Sequence, residues 1–122
     1  MLKLKHSLIN AIRGIRDLLK TEQNFVIEVA IAVLVLFAAY AFHIRTLEKV
    51  AIVIMIVFIL TAEGANSVLE NILDGFSKNF SPKFRMAKDM LAGVTLIVVL
   101  GSLIIGVIIF WPYMRALLFR KM

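Results

Sequence analysis

From Met90 to Tyr113 the chain runs 24 residues without a charged side chain. A stretch that long and apolar is a membrane span, because a helix rising ~1.5 Å per residue crosses a ~30 Å hydrocarbon core with length left over for tilt. Only helices and closed barrels satisfy their backbone polar groups in lipid, and the run shows no apolar–polar alternation, so it is a helix. Phe25 to Phe42 is a second such run, 18 residues with one charge, Glu28. Val50 to Ala62 is apolar over 13 residues, too short to span. Continued to Phe76 as one helix, it is roughly 40 Å long and carries its polar end past the hydrocarbon. The whole chain of 122 residues is 61% apolar, with a mean hydropathy of +0.95. The expected fold is a single all-α membrane domain with spans at 25–42, 50–76 and 90–113.

Residues 2–20 differ in kind. Leu4, Leu8, Ile12, Ile15 and Leu19 recur at helical spacing, with Lys3, His6, Asn10, Arg13, Asp17 and Lys20 opposite. This pattern predicts a basic amphipathic helix in the headgroup layer at 1–20. No small-residue cleavage site follows the first apolar run, so a removed leader is not expected. The 14 Lys and Arg against 8 Asp and Glu flank the apolar segments, which points to anionic headgroups rather than nucleic acid. The amino-terminal segment and a polar loop at 77–88 hold nine of them; the first connector and the tail hold five. That asymmetry places the amino terminus and the 77–88 loop in the cytoplasm, with a bacterial cytoplasmic membrane as the expected location. Without cysteine there is no disulfide framework.

The chemistry is concentrated between Glu63 and Asp89, which holds four of the eight acidic residues. Glu63, Asn66, Glu70 and Asp74 are spaced 3, 4 and 4 apart and share one stripe of a helix. Three carboxylates on one stripe repel unless a cation sits among them, and hard cations take such oxygen ligands. The plainer reading, a hydrated polar face, fits less well because the stripe continues directly from a membrane-grade run. Glu28 is costly to bury and is a functional candidate, or it sits hydrated at headgroup level. Glu22 lies six residues earlier, about 120° away on a straight helix, so both are not expected to reach one site. Glu22 is the nearer in depth to the stripe. No phosphate-binding G-x-x-x-x-G-K-[ST] loop, no G-x-S-x-G and no histidine pair at metal spacing occurs. Phosphate chemistry here would run through carboxylates and basic side chains.

The stripe reads Glu63-Gly-Ala-Asn66-Ser67-Val-Leu-Glu70-Asn-Ile-Leu-Asp74 and is followed by Ala87-Lys88-Asp89. It resembles the E-x-x-N-[ST]-A-[IL]-E-x-x-x-D … A-K-D pattern of the prokaryotic diacylglycerol kinase and undecaprenol kinase family. Thr21-Glu22-Gln23-Asn24-Phe25 is similar to the family's T-E-x-N-F. The resemblance implies a homotrimeric integral membrane kinase that uses ATP and magnesium to phosphorylate a lipid hydroxyl. It implies Glu70 at the catalytic base position, Glu22 and Glu70 as the metal pair, and Glu63, Asn66, Asp74, Lys88 and Asp89 in supporting nucleotide and substrate positions. Arg13 and Arg16 of the surface helix are further candidates for phosphate contact. One carboxylate cannot serve as base and metal ligand with the same lone pair; different oxygens, or Asp74 as base, would resolve this. A site that borrows Glu22 from a neighbouring subunit is also expected to be possible.

Phe80-Ser81 stands where family members commonly carry Tyr-His or His-His, and Val68-Leu69 replaces Ala-Ile. The end of the last span, Gly106 to Pro112, looks more like undecaprenol kinases of Gram-positive bacteria than diacylglycerol kinases. Undecaprenol is the favoured acceptor and diacylglycerol the alternative. A small multidrug transporter, the rival from another class, needs four spans and a mid-bilayer carboxylate.

Overall fold

The computed structural model describes residues 1–76 and 82–120. Four helices follow in order: α1 Leu2–Thr21, α2 Gln23–Ala41, α3 Thr46–Phe76 and α4 Pro82–Arg120. The last three are long and apolar enough to cross a membrane. The protein is an all-α membrane bundle, as its apolar runs dictate. Large apolar residues such as Leu34, Phe58, Ile97 and Ile108 lie exposed on its spans, as suits helices whose surroundings are apolar.

α1 buries none of its residues. Its apolar face, Leu4, Leu8, Ile12 and Ile15, lies open, as suits a helix that rests in a headgroup layer. Leu18 is the exception in kind. Its Cδ1 lies 3.6 Å from where a Cβ on Gly64 would stand, and the Phe25 ring lies 4.0 Å away. Gly64 is therefore the point where α1, α2 and α3 meet. The break between α1 and α2 is a single residue, Glu22, extended at φ −109° and ψ 103°. One non-helical residue is enough to turn the chain from the surface helix into the span.

The opposite end of the bundle is fastened by side chains. Ala39, Ile44, Ile52 and Ile109 form its buried cluster. The Phe42 ring stacks near Phe110 and Tyr113, with centroids 6.2 and 6.3 Å apart. The Tyr113 hydroxyl donates to Glu48 Oε1 at 2.6 Å, and the Arg45 amide donates to the same oxygen at 3.0 Å. Glu48 thus reaches back to the residue before its helix, as a capping glutamate does, and ties α3 to α4 as well. This capping starts α3 at Thr46, four residues earlier than the apolar run, and shortens the first connector.

The turn after α2 closes on His43, whose φ is +53°. The Ile44 amide donates to the Ala39 carbonyl at 3.3 Å and the His43 amide to the Tyr40 carbonyl at 3.2 Å. These are the paired bonds of a helix terminus that favours glycine at the left-handed position. Histidine there costs about 1 kcal/mol of backbone strain. His43→Gly is expected to raise the stability of the detergent-solubilised protein by about that amount; unfolding in mixed micelles measures it, and a loss of stability would contradict the strain.

Two expected boundaries are corrected. Residues 82–88, expected in a polar loop, are the first two turns of α4. Pro82 occupies the first helical position, where its missing amide hydrogen has no partner to lose. The remainder of that loop, 77–81, with Phe80 and Ser81, lies outside the described residues. At the far end α4 does not stop at Tyr113 but continues through Pro112 to Arg120. Proline removes one backbone donor.

Candidate active site

α3 grades from buried to exposed along its polar stripe. Glu63 is 7% exposed and Ser67 is 3% exposed, whereas Glu70 and Asp74 are open to solvent. The stripe thus begins inside the bundle and ends in water. Asn66 lies between, and its Oδ1 is buried without a hydrogen-bond partner among the described residues.

Glu63 is the centre of the group. The Asn24 side chain of α2 lies close to it, and the Glu70 and Glu22 carboxylates are near enough for their charges to act on it. Glu28 is close enough to Glu63 for their charges to interact, and its Oε2 is buried without a partner among the described residues. Four carboxylates, from the α1–α2 break, α2 and α3, are thus near enough to feel one another's charge. The expectation that Glu22 and Glu28 exclude each other is corrected. It assumed one straight helix, and the extended Glu22 removes that assumption. Within one chain the Glu22 carboxylate is near enough to act on Glu63 through space.

Lys88 completes a second link. Its Nζ pairs with Asp74 Oδ1 at 2.5 Å, which joins the start of α4 to the end of α3. The helical register of 82–88 makes this pairing possible. Arg13 and Arg16 are exposed on α1, and Asp89 is exposed on α4; the structure does not draw these three into the carboxylate group. Asn24 and Glu28 are the residues that sequence reasoning did not place in the group. A signal was present, since they stand four apart and share one face of α2.

Beside the carboxylates runs an apolar groove of about 520 Å³ between α2, α3 and α4. Ile31, Ile56, Leu103 and Phe110 are among its walls, and Asn24 and Glu28 are its polar lining toward the acidic group. An amphiphile with a long chain and a polar head matches that division.

Among the described residues no three His, Cys, Asp or Glu side chains stand close enough together to hold a metal ion by themselves. Magnesium does not require that. It binds one or two carboxylates and completes its shell with water and phosphate oxygens. Glu22 and Glu70, both acting on Glu63, with the unpartnered Asn66 oxygen nearby, supply hard oxygen donors of the right kind.

An acidic site at the boundary between water and an apolar groove defines a class of membrane enzymes that act on amphiphilic lipids. The match to known proteins makes the class specific. Residues 9–110 match the family described as prokaryotic diacylglycerol kinase. Over 106 residues, 87% of this chain and 86% of the relative, the sequence is 31% identical to undecaprenol kinase of Bacillus subtilis (strain 168). The chain belongs to the prokaryotic diacylglycerol kinase family and is a membrane lipid kinase.

Proposed function

We propose that this protein transfers the terminal phosphate of ATP to the hydroxyl of undecaprenol, with magnesium as the metal. The observation that carries the reading is the adjacency of the two halves of the site. The carboxylate group opens to water through Glu70, and the apolar groove meets it at Asn24 and Glu28. A soluble nucleotide and a membrane alcohol can meet only at such a boundary. The choice of undecaprenol follows the relative that carries that name and the Gly106–Pro112 ending.

Phosphoryl transfer needs a deprotonated nucleophile, neutralised phosphate charge and in-line positioning. The lipid oxygen forms a bond to the terminal phosphorus as the bond to the bridging oxygen breaks and ADP leaves. The hydroxyl proton passes to a carboxylate. Among the acids of the stripe, Glu63 meets this need best: it is buried, and Asn24, which lines the groove, stands close to it. Glu70 then remains essential as a metal ligand with Glu22, which removes the conflict of one carboxylate in two roles. Asp74 is engaged by Lys88 and is less suited to take a proton. Magnesium supplies charge neutralisation at the phosphates when bound. Lys88 adds positive charge at the water-facing end, with Arg13 and Arg16 able to reach phosphate from the surface helix. Asn66 and Asp89 support the nucleotide side.

A homotrimer in a bacterial cytoplasmic membrane completes the proposal, with the amino terminus and the site inside. Three helices of this size bury little against one another, which favours assembly with further copies. The charge asymmetry predicts the orientation. A cysteine placed at Thr46 is expected to react with an impermeant thiol reagent added to intact cells, and one at Gly75 only after permeabilisation. The reverse pattern would overturn the orientation.

Acceptor choice is tested by presenting undecaprenol and diacylglycerol at equal mole fraction in the same vesicles. A higher kcat/KM for undecaprenol is expected. Preference for diacylglycerol would leave the lipid kinase in place and replace its substrate.

A further inference from the structure

We propose that the apolar groove selects its acceptor alcohol by reading about three to four isoprene units next to the hydroxyl, with Phe110 as the stop at its far end and Gly106 as the opening before it. The inference rests on the reading that the groove receives the lipid alcohol, and it adds the residues that select among alcohols by chain length.

The groove has one polar end and one closed end. Asn24 and Glu28 stand at the end beside the carboxylates. At the other end its walls are Val35, Ile52 and Phe110, and all three belong to the packed cluster around Ala39, Ile44 and Ile109. That cluster is the buried core of the bundle, so the groove stops where it begins. Phe110 is the last wall residue on α4. Its ring meets Phe42 edge-on with centroids 6.2 Å apart, Phe42 meets Tyr113, and the Tyr113 hydroxyl is anchored on Glu48 at 2.6 Å. The stop is therefore braced from behind.

The sides of the groove differ. α3 packs on both α2 and α4, while α2 and α4 scarcely meet. Along that gap the groove is open, so a chain longer than the groove turns outward into lipid at Phe110. Gly106 lines the groove, and a Cβ on it would meet no atom of a neighbouring helix within 4 Å. Glycine here keeps the way to Phe110 clear.

Length follows from helix geometry. The walls from Asn24 to Val35 and from Val99 to Phe110 each run about 16 Å at ~1.5 Å per residue. An extended chain advances about 3.5 Å per three bonds, so an isoprene unit of about four chain bonds advances roughly 4.7 Å. A chain that leaves the bilayer for the groove gains no hydrophobic energy, because lipid tails are as apolar as the walls. It gains close-packed contact with three helices, and that gain ends where the walls end. A spanning helix of a second copy is the other occupant to consider. It has no reason to stop where the groove stops, whereas an alcohol with its hydroxyl at Asn24 and its chain toward Phe110 matches both ends.

The test is a series of polyprenols graded from about two isoprene units up to undecaprenol, presented at equal mole fraction in vesicles with magnesium and ATP. The parent is compared with Phe110→Ala, Gly106→Leu and, as control, Ile108→Ala, whose side chain is exposed and outside the groove. In the parent, kcat/KM rises about tenfold in total up to about three to four units and is level beyond. Phe110→Ala moves the break about one unit longer. Gly106 stands about 6 Å before Phe110, so Gly106→Leu moves the break about one unit shorter. Both shifts fall on KM for the alcohol and leave KM for ATP unchanged, whereas a merely structural loss lowers the rate with every chain alike. Gly106→Leu keeps the assembly mass of the parent, and Ile108→Ala keeps its break.

A kcat/KM that is flat from the shortest chain, or that climbs evenly to undecaprenol, overturns the proposal. So does a break that stays in place in both groove variants; if Phe110→Ala does not fold, Gly106→Leu decides alone. A Gly106→Leu protein that no longer assembles gives the groove to a second copy and also overturns it. The underlying reading is reported separately. A parent that phosphorylates diacylglycerol and no polyprenol of any length removes that reading and the proposal with it, whereas phosphorylation of undecaprenol without a break removes the proposal alone.

Discussion

Glu70→Gln and Glu63→Gln are each expected to reduce lipid phosphorylation by roughly 100-fold or more while the bundle stays folded. The two losses have different origins. Glutamine at 63 keeps the size and the Asn24 contact and cannot accept a proton. Its defect therefore falls on kcat, with nucleotide affinity retained. Glutamine at 70 keeps one oxygen and loses the charge that would hold a divalent cation, so its defect appears as weakened metal and nucleotide binding. Neither change creates a cavity. Glu70 is exposed, and relief of repulsion with Glu63 offsets any lost contact. Turnover by either variant within tenfold of the parent, with helicity and assembly unchanged, would remove that residue from the chemistry.

The second large effect concerns the metal. Chelation of divalent cations is expected to abolish turnover, and added magnesium to restore it. Glu22→Gln should raise the magnesium concentration needed for half-maximal rate by at least about tenfold, as the loss of one of few charged ligands does. Saturating magnesium should then recover much of kcat, which separates a ligand from a base. Full activity in the presence of a chelator, or an unchanged magnesium requirement in Glu22→Gln, would contradict the assignment of Glu22. Mixing Glu22→Gln and Glu70→Gln subunits separates the two pairings: recovery of activity assigns Glu22 to a neighbour's stripe, and no recovery beyond either variant assigns it to its own.

Much of this architecture follows from sequence for a simple reason. Lipid removes the alternatives to helix, so the length of an apolar run fixes a span. Met90 to Tyr113 and Phe25 to Phe42 needed nothing else. The stripe at Glu63, Asn66, Glu70 and Asp74 was equally legible, because helical periodicity is a local property. What was not legible depends on one residue leaving the regular pattern. The extended Glu22 lets the surface helix and the first span diverge, and so removes the straight helix that set Glu22 and Glu28 about 120° apart. His43 carries the left-handed turn that sequence patterns assign to glycine. The polar run at 82–88 reads as loop by composition, yet Pro82 starts a helix there and Lys88 reaches Asp74 because of it. The grading of the stripe from buried Glu63 to exposed Glu70 is a tertiary fact. On the proposed function, it gives the proton-accepting role and the metal-binding role to different carboxylates, which spacing left joined.

The central claim is that the carboxylate group and the apolar groove together move a phosphoryl group from a soluble nucleotide to a membrane alcohol. The most direct measurement uses the purified protein in vesicles that contain undecaprenol, with magnesium and ATP labelled at its terminal phosphate. Labelled undecaprenyl phosphate should form in proportion to ADP, in the parent protein and not in Glu63→Gln. Release of inorganic phosphate without a labelled lipid, or labelled lipid at equal rates in both proteins, would contradict it.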